Sequence, residues 1–119
     1  MKHIFFNQSM DIDCESEWIK INRPYNQDAK CCKKTIKSIQ IIWQEVQFVP
    51  ITNPKGILLL YYTNYTESKK LFSQYDISIE NNIDDSLMID INSNYSYFKV
   101  KFISEDIISG LLDIAVCEC

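Results

Sequence analysis

Apolar positions along this chain recur in short alternating runs, not at the three-and-four spacing of an amphipathic helix. The first clear run is Glu17-Trp18-Ile19-Lys20-Ile21, which the turn chemistry of Asn22-Arg23-Pro24-Tyr25-Asn26 breaks. Within residues 35–43 (TIKSIQIIW), Ile39, Ile41 and Trp43 share one face, and this predicts a strand. Residues 50–56 (PITNPKG) hold two of the three prolines and read as a loop. Residues 57–63 (ILLLYYT) are the most hydrophobic run and are expected to form the central strand. Residues 64–73 (NYTESKKLFS), polar around Leu71-Phe72, read as a loop or one helical turn.

Farther along, Asp76-Ile77-Ser78-Ile79-Glu80 alternates and stops at Asn81-Asn82, a pair that tolerates left-handed turns. Leu87-Met88-Ile89-Asp90-Ile91 ends at Asn92-Ser93-Asn94. Residues 95–102 (YSYFKVKF) put Tyr95, Tyr97, Lys99 and Lys101 on one face, with Phe98, Val100 and Phe102 on the other. After Ser109-Gly110, residues 111–117 (LLDIAVC) bring Leu112, Ile114 and Val116 to a common face. Strands with one dry and one wet face, separated by polar turns, predict an all-β fold. The expected architecture is a single-domain antiparallel β-sandwich, jelly-roll-like. Residues 1–15 are expected as an N-terminal arm or edge segment and 16–119 as the sandwich domain. An arm carrying Phe5 and Phe6 would order on a partner.

Composition sharpens this in two ways. A chain of 119 residues suffices for one domain with its own core. Its 19 Ile against 2 Ala and 2 Gly favour strands over a helical bundle and exclude a Gly-rich phosphate loop. With so few glycines, Asn, Asp and Ser must make the turns, and those polar turns at the sandwich ends are expected to meet a partner. The net charge of −4 disfavours a basic nucleic-acid-binding face. The basic cluster Lys30, Lys33, Lys34 and Lys37 and the acidic strip Asp11, Asp13, Glu15 and Glu17 read as solvated surface. Nothing approaches the length of a membrane span, and the apolar segment at the N-terminus is too short for a secretory signal. A soluble, unexported chain with neither nucleic acid nor membrane as partner is therefore expected.

Candidate chemistry is sparse. The five cysteines, Cys14, Cys31, Cys32, Cys117 and Cys119, show no Cys-x-x-Cys spacing and read as reduced, partly buried thiols. The competing reading is a soft-metal site, with Cys117 and Cys119 on one strand face joined by Cys14 or the Cys31-Cys32 pair. His3 is the one histidine and lies at the terminus, so neither a Ser-His-Asp nor a Cys-His arrangement is expected. Asp84-Asp85 reads as a turn pair, and the acidic strip lacks the glycine and terminal glutamate of an EF-hand loop. No catalytic residue, cofactor or metal is assigned. Among the aromatics, Tyr61, Tyr95 and Tyr97 on a sheet surface would suit stacking on a sugar, although aromatics at strand spacing more often pack in the core.

Taken in order, five segments carry a resemblance. They are Ser16-Glu17-Trp18-Ile19-Lys20-Ile21, Ser38-Ile39-Gln40-Ile41-Ile42-Trp43, Gly56-Ile57-Leu58-Leu59-Leu60, Tyr95-Ser96-Tyr97-Phe98-Lys99-Val100-Lys101-Phe102 and, after an irregular loop, Gly110-Leu111-Leu112-Asp113-Ile114-Ala115-Val116. The set resembles small β-sandwich virion proteins of tailed phages, of the auxiliary-capsid and head-fibre type found in crAss-like phages, over residues 16–116. The departures are Thr63-Asn64-Tyr65-Thr66 in place of a Ser-Asn-Asp-type turn, Phe98 in place of valine, and the cysteines. The resemblance implies a non-enzymatic structural or decoration protein, made in the host cytoplasm and located in the virion. It would bind capsid, portal or fibre proteins by surface contact, as a homo-oligomer or in repeated copies. Expected partner contacts are Phe5, Phe6, Tyr61, Asn81, Asn82, Tyr95 and Tyr97. The alternatives are a carbohydrate-binding module of the same sandwich class and a small phage-encoded inhibitor or immunity protein with an acidic surface.

Overall fold

Strands and no helix are formed by the residues that the computed structural model describes, 2–21, 36–48, 55–64, 71–78, 84–92 and 94–118. In chain order the strands are β1 (Lys2–Ser9), β2 (Cys14–Glu15), β3 (Ile19–Lys20), β4 (Ile36–Phe48), β5 (Lys55–Thr63), β6 (Leu71–Ser78), β7 (Asp85–Asp90), β8 (Tyr97–Glu105) and β9 (Ile107–Glu118). They make two antiparallel sheets, one in the order β1-β9-β4-β7 and one in the order β2-β8-β5-β6, with β3 also paired to β8. The expected all-β sandwich is the fold of this chain.

β2 and β3 lie along the same edge of β8 and act as one interrupted strand. Four steps from Glu15 to Ile19 face three from Lys101 to Phe98, so the strip carries a bulge. Ser16 closes it: its N–H donates to the Val100 carbonyl at 2.8 Å, and its Oγ accepts the Val100 N–H at 2.9 Å. With this strip counted once, the pairing nests. First pairs with last (β1 with β9), the strip with β8, β4 with β7, and β5 with β6. A long antiparallel hairpin folded over itself has this nesting. Rolling it up sets β9 beside β4 and β8 beside β5, which is the jelly-roll arrangement.

Alternation fills the space between the sheets. Phe98, Val100 and Phe102 of β8 and Leu58, Leu60 and Tyr62 of β5 meet Ile39, Ile41 and Trp43 of β4 and Leu112, Ile114 and Val116 of β9. All are buried. Each such side chain contributes about 1.5–3 kcal/mol by leaving water, and these four rows hold the two sheets together. Leu59 and Ala115 are also buried but stand outside this cluster, because the same alternation turns them to the outer faces.

Lys2–Ser9 is an edge strand paired to β9, and its Ile4 and Phe5 pack against the core. Two parts of the sequence reading change. Residues 71–73, read as loop or helical turn, already belong to β6. The irregular loop expected ahead of Gly110 is absent: β9 starts at Ile107, and Asp106 alone joins it to β8 in the opposite sheet. Asp106 makes that corner at φ 59°, a left-handed conformation that aspartate tolerates better than most residues.

Candidate functional site

Among the described residues, nothing bridges the side of the sandwich where β1 ends one sheet and the β2–β3 strip ends the other, and a groove of about 550 Å³ runs between these edges. Ile4, Phe5, Ile19, Ile36 and Val116 supply its apolar lining, with Trp18 beside them. Bulges in β1 interrupt its register between His3 and Phe5 and between Phe5 and Gln8. They let the consecutive residues Ile4 and Phe5 both pack toward the core. At the second bulge Asn7 sits at φ 51°, and its N–H donates to the Asp113 carboxylate at 2.6 Å.

Trp18 is placed by charge as well as by packing. The Lys99 ammonium lies 5.3 Å from the Trp18 ring centroid and 2.8 Å from Glu15 Oε1. A cation between an indole face and a carboxylate fixes the ring at one attitude beside the groove. Charged groups also lie along the groove: Lys2 and Lys20 with Glu17 and Glu118. The arrangement is chemically that of a recognition surface, an apolar floor with mixed charge beside it, next to a strand whose outer edge nothing among the described residues pairs.

The expected contact residues that are described do not form one cluster. Phe6 is 65% exposed, and the edge of its ring meets His3 with centroids 4.9 Å apart. Phe5, its neighbour, packs on the core. Tyr61 and Tyr97 lie together on the outer face of the second sheet, half-buried, in the register pairs Tyr61–Lys99 and Thr63–Tyr97 on either side of Tyr62–Phe98. Tyr95 leaves that face: it precedes β8, packs on the core and stacks on Tyr62 at 5.2 Å. Asn81 and Asn82 lie outside the described residues. The turn asparagines that are described serve their own backbone. Asn92 Oδ1 accepts the Asn94 N–H, Asn64 Oδ1 accepts the Ser96 N–H, and the Asn92 N–H donates to the Tyr62 hydroxyl. Burial raises the Tyr62 phenol above its ordinary value, and this hydrogen bond partly offsets the rise.

Three members of the acidic strip have partners within the chain. Asp11 accepts the Ser9 hydroxyl, Asp13 accepts the Ser104 N–H at 2.8 Å, and Glu15 pairs with Lys99. Among the described residues, no group of three or more His, Cys, Asp or Glu side chains could hold a metal ion. Cys14 and Cys117 are free thiols. Cys14 packs against the core from the β2 side, whereas Cys117 alternates with buried Val116 onto the outer face of the other sheet, so the two do not converge. Burial, and then the charge of Asp13, push the Cys14 thiol up to about 11. Cys31, Cys32 and Cys119 lie outside the described residues.

The groove was not legible as a site. Its walls come from both ends of the chain, and Trp18 carried only the signal of an alternating strand. No protein-family model, no curated protein and no solved structure matches this chain.

Proposed function

We propose that this chain is a non-enzymatic structural or decoration component of a tailed-phage particle, present in repeated copies, that holds capsid, portal or fibre proteins by surface contact. The observation that carries the reading is the side of the jelly roll where the outer edge of β1, unpaired among the described residues, borders the apolar groove beside Trp18. An extended segment of a virion partner adds to β1 as a further strand through main-chain hydrogen bonds. It seats apolar side chains against Phe5 and Ile19, and this is recognition by strand addition. The ordered segments of residues 16–116 that resemble head-fibre and auxiliary capsid domains support the same reading. So does the jelly roll, an architecture that recurs in capsid proteins, although it serves lectins as well and does not by itself choose between them.

The test is binding of the purified chain to particles of the encoding phage assembled without it. Saturable binding is expected, with at least about a tenfold loss in Trp18→Ala and Ile19→Asp variants that remain folded. Binding unchanged in both variants would remove the groove from the account. Glycan binding lost in Tyr61→Ala and Tyr97→Ala would move the reading to a carbohydrate-binding module.

A further inference from the structure

Charge is polarised along the groove. The chain leaves β1 at Ser9 and enters the strip at Cys14, so the strip runs back against β1. Two contacts bring the end of the strip level with the start of β1. The Ile36 N–H donates to the Ile21 carbonyl at 3.0 Å, and Ile36 pairs with Glu118, two residues beyond the Val116 that pairs with Lys2. Lys2 and Lys20, both exposed, therefore stand at one end of the groove, with Glu118 beside them. Glu15, paired with Lys99, and Glu17 stand toward the other end. Ile4, Phe5 and Ile19 supply apolar surface between the two ends.

We propose that the segment this groove takes up runs antiparallel to β1, alternates apolar with polar residues, and carries a basic residue on its amino-terminal side and an acidic residue on its carboxyl-terminal side. This assignment rests on strand addition at the groove and gives the added strand its chemistry and direction. β1 is the better template of the two edges, with 8 residues against 2 in each piece of the strip. Every pairing in both sheets is antiparallel. A strand added to β1 in the same sense runs from the Ser9 end to the Lys2 end. Its amino-terminal side then meets Glu15 and Glu17, and its carboxyl-terminal side meets Lys2 and Lys20. Alternation turns every second side chain in toward Phe5 and Ile19 and the others out to water. Main-chain hydrogen bonds and the apolar side chains supply the affinity, whereas the charges at the two ends set the direction. A segment added to the strip instead would run the other way and call for the opposite order of charges.

Two labelled peptides of one composition test it: acetyl-Lys-Val-Thr-Ile-Thr-Val-Glu-amide and its charge exchange, acetyl-Glu-Val-Thr-Ile-Thr-Val-Lys-amide. Each is titrated with the full chain under reducing conditions and followed by fluorescence anisotropy. The first is expected to bind about fivefold more tightly, with the gap narrowing as salt is raised. Lys2→Glu combined with Lys20→Glu changes two exposed side chains and should abolish or reverse the preference, with the melting curve unchanged. Trp18→Ala should weaken both peptides alike. Equal affinities, tighter binding of the second peptide, or failure of both to bind overturns the proposal. Particle binding measured in parallel separates the two claims. Trp18-dependent particle binding alongside equal peptide affinities overturns the direction and charge alone. A clear peptide preference without particle binding upholds them and overturns the particle reading.

Discussion

Replacing Gly110 with alanine adds one methyl group where β9 passes the residue that follows β1. A Cβ at position 110 would lie 2.9 Å from Met10 Sδ, 3.2 Å from Val46 Cγ2 and 3.3 Å from Met10 Cβ. A thioether on the surface would swing aside. Met10 is fully buried, and its N–H donates to the Gly110 carbonyl at 3.0 Å, so backbone and side chain are both held. The backbone at Gly110, φ 156°, is one that residues with a Cβ rarely adopt. Overpacking costs about 1–3 kcal/mol and the backbone strain a similar amount. The smaller conformational freedom of unfolded alanine returns about 0.4–1 kcal/mol. A net loss of about 2–4 kcal/mol is expected, read as a urea midpoint lower by about 1–3 M with an unchanged slope. Tryptophan fluorescence reports the transition through Trp43, which is buried in the core. The clash is with Met10, so adding Met10→Ala should recover about 1 kcal/mol or more relative to the sum of the single losses. A Gly110→Ala loss below about 0.5 kcal/mol, or strictly additive losses, would refute the packing argument.

Other outcomes follow from the same contacts. Ser16→Ala leaves the Val100 N–H without its acceptor at the bulge; it should cost about 0.5–1.5 kcal/mol in urea unfolding and speed exchange of the Val100 amide. Cys14 should resist alkylation at pH 8 in the folded chain, since its thiol is raised to about 11, and Asp13→Asn should bring that value down by removing the nearby charge. The folded chain holds the Cys14 proton more tightly than the unfolded chain does. The stability this contributes is therefore present below the ordinary value of 9.0 and lost as pH rises toward 11. Melting temperatures measured between pH 8 and 11 should fall less steeply in Cys14→Ala than in the wild type.

Where the backbone keeps strict alternation, the sequence is a good guide. Phe98, Val100 and Phe102, and likewise Leu112, Ile114 and Val116, were assigned to a single face by period alone, and they line the core. The rest was hidden by local breaks in that period. In β1 two bulges, one at left-handed Asn7, turn Ile4 and Phe5 inward together, so no alternating signal marks a strand. Tyr95 alternates with Tyr97 on paper, but it sits before β8 begins, and the turn through Asn92 and Asn94 lays it over Tyr62. Asp106 turns a strand from one sheet into the other in a single residue, where seven polar and apolar residues looked like a loop. The groove needs β1, the β2–β3 strip and the ends of β4 and β9 together, a convergence that only the rolled hairpin creates.

The proposed function makes this chain part of a phage particle, and quantitative mass spectrometry of purified particles from the phage that would encode it is the direct test. The expected result is this chain in the particle at a fixed ratio to the major capsid protein, retained through density-gradient purification. A chain abundant in the infected-cell lysate yet absent from the purified particle would contradict it.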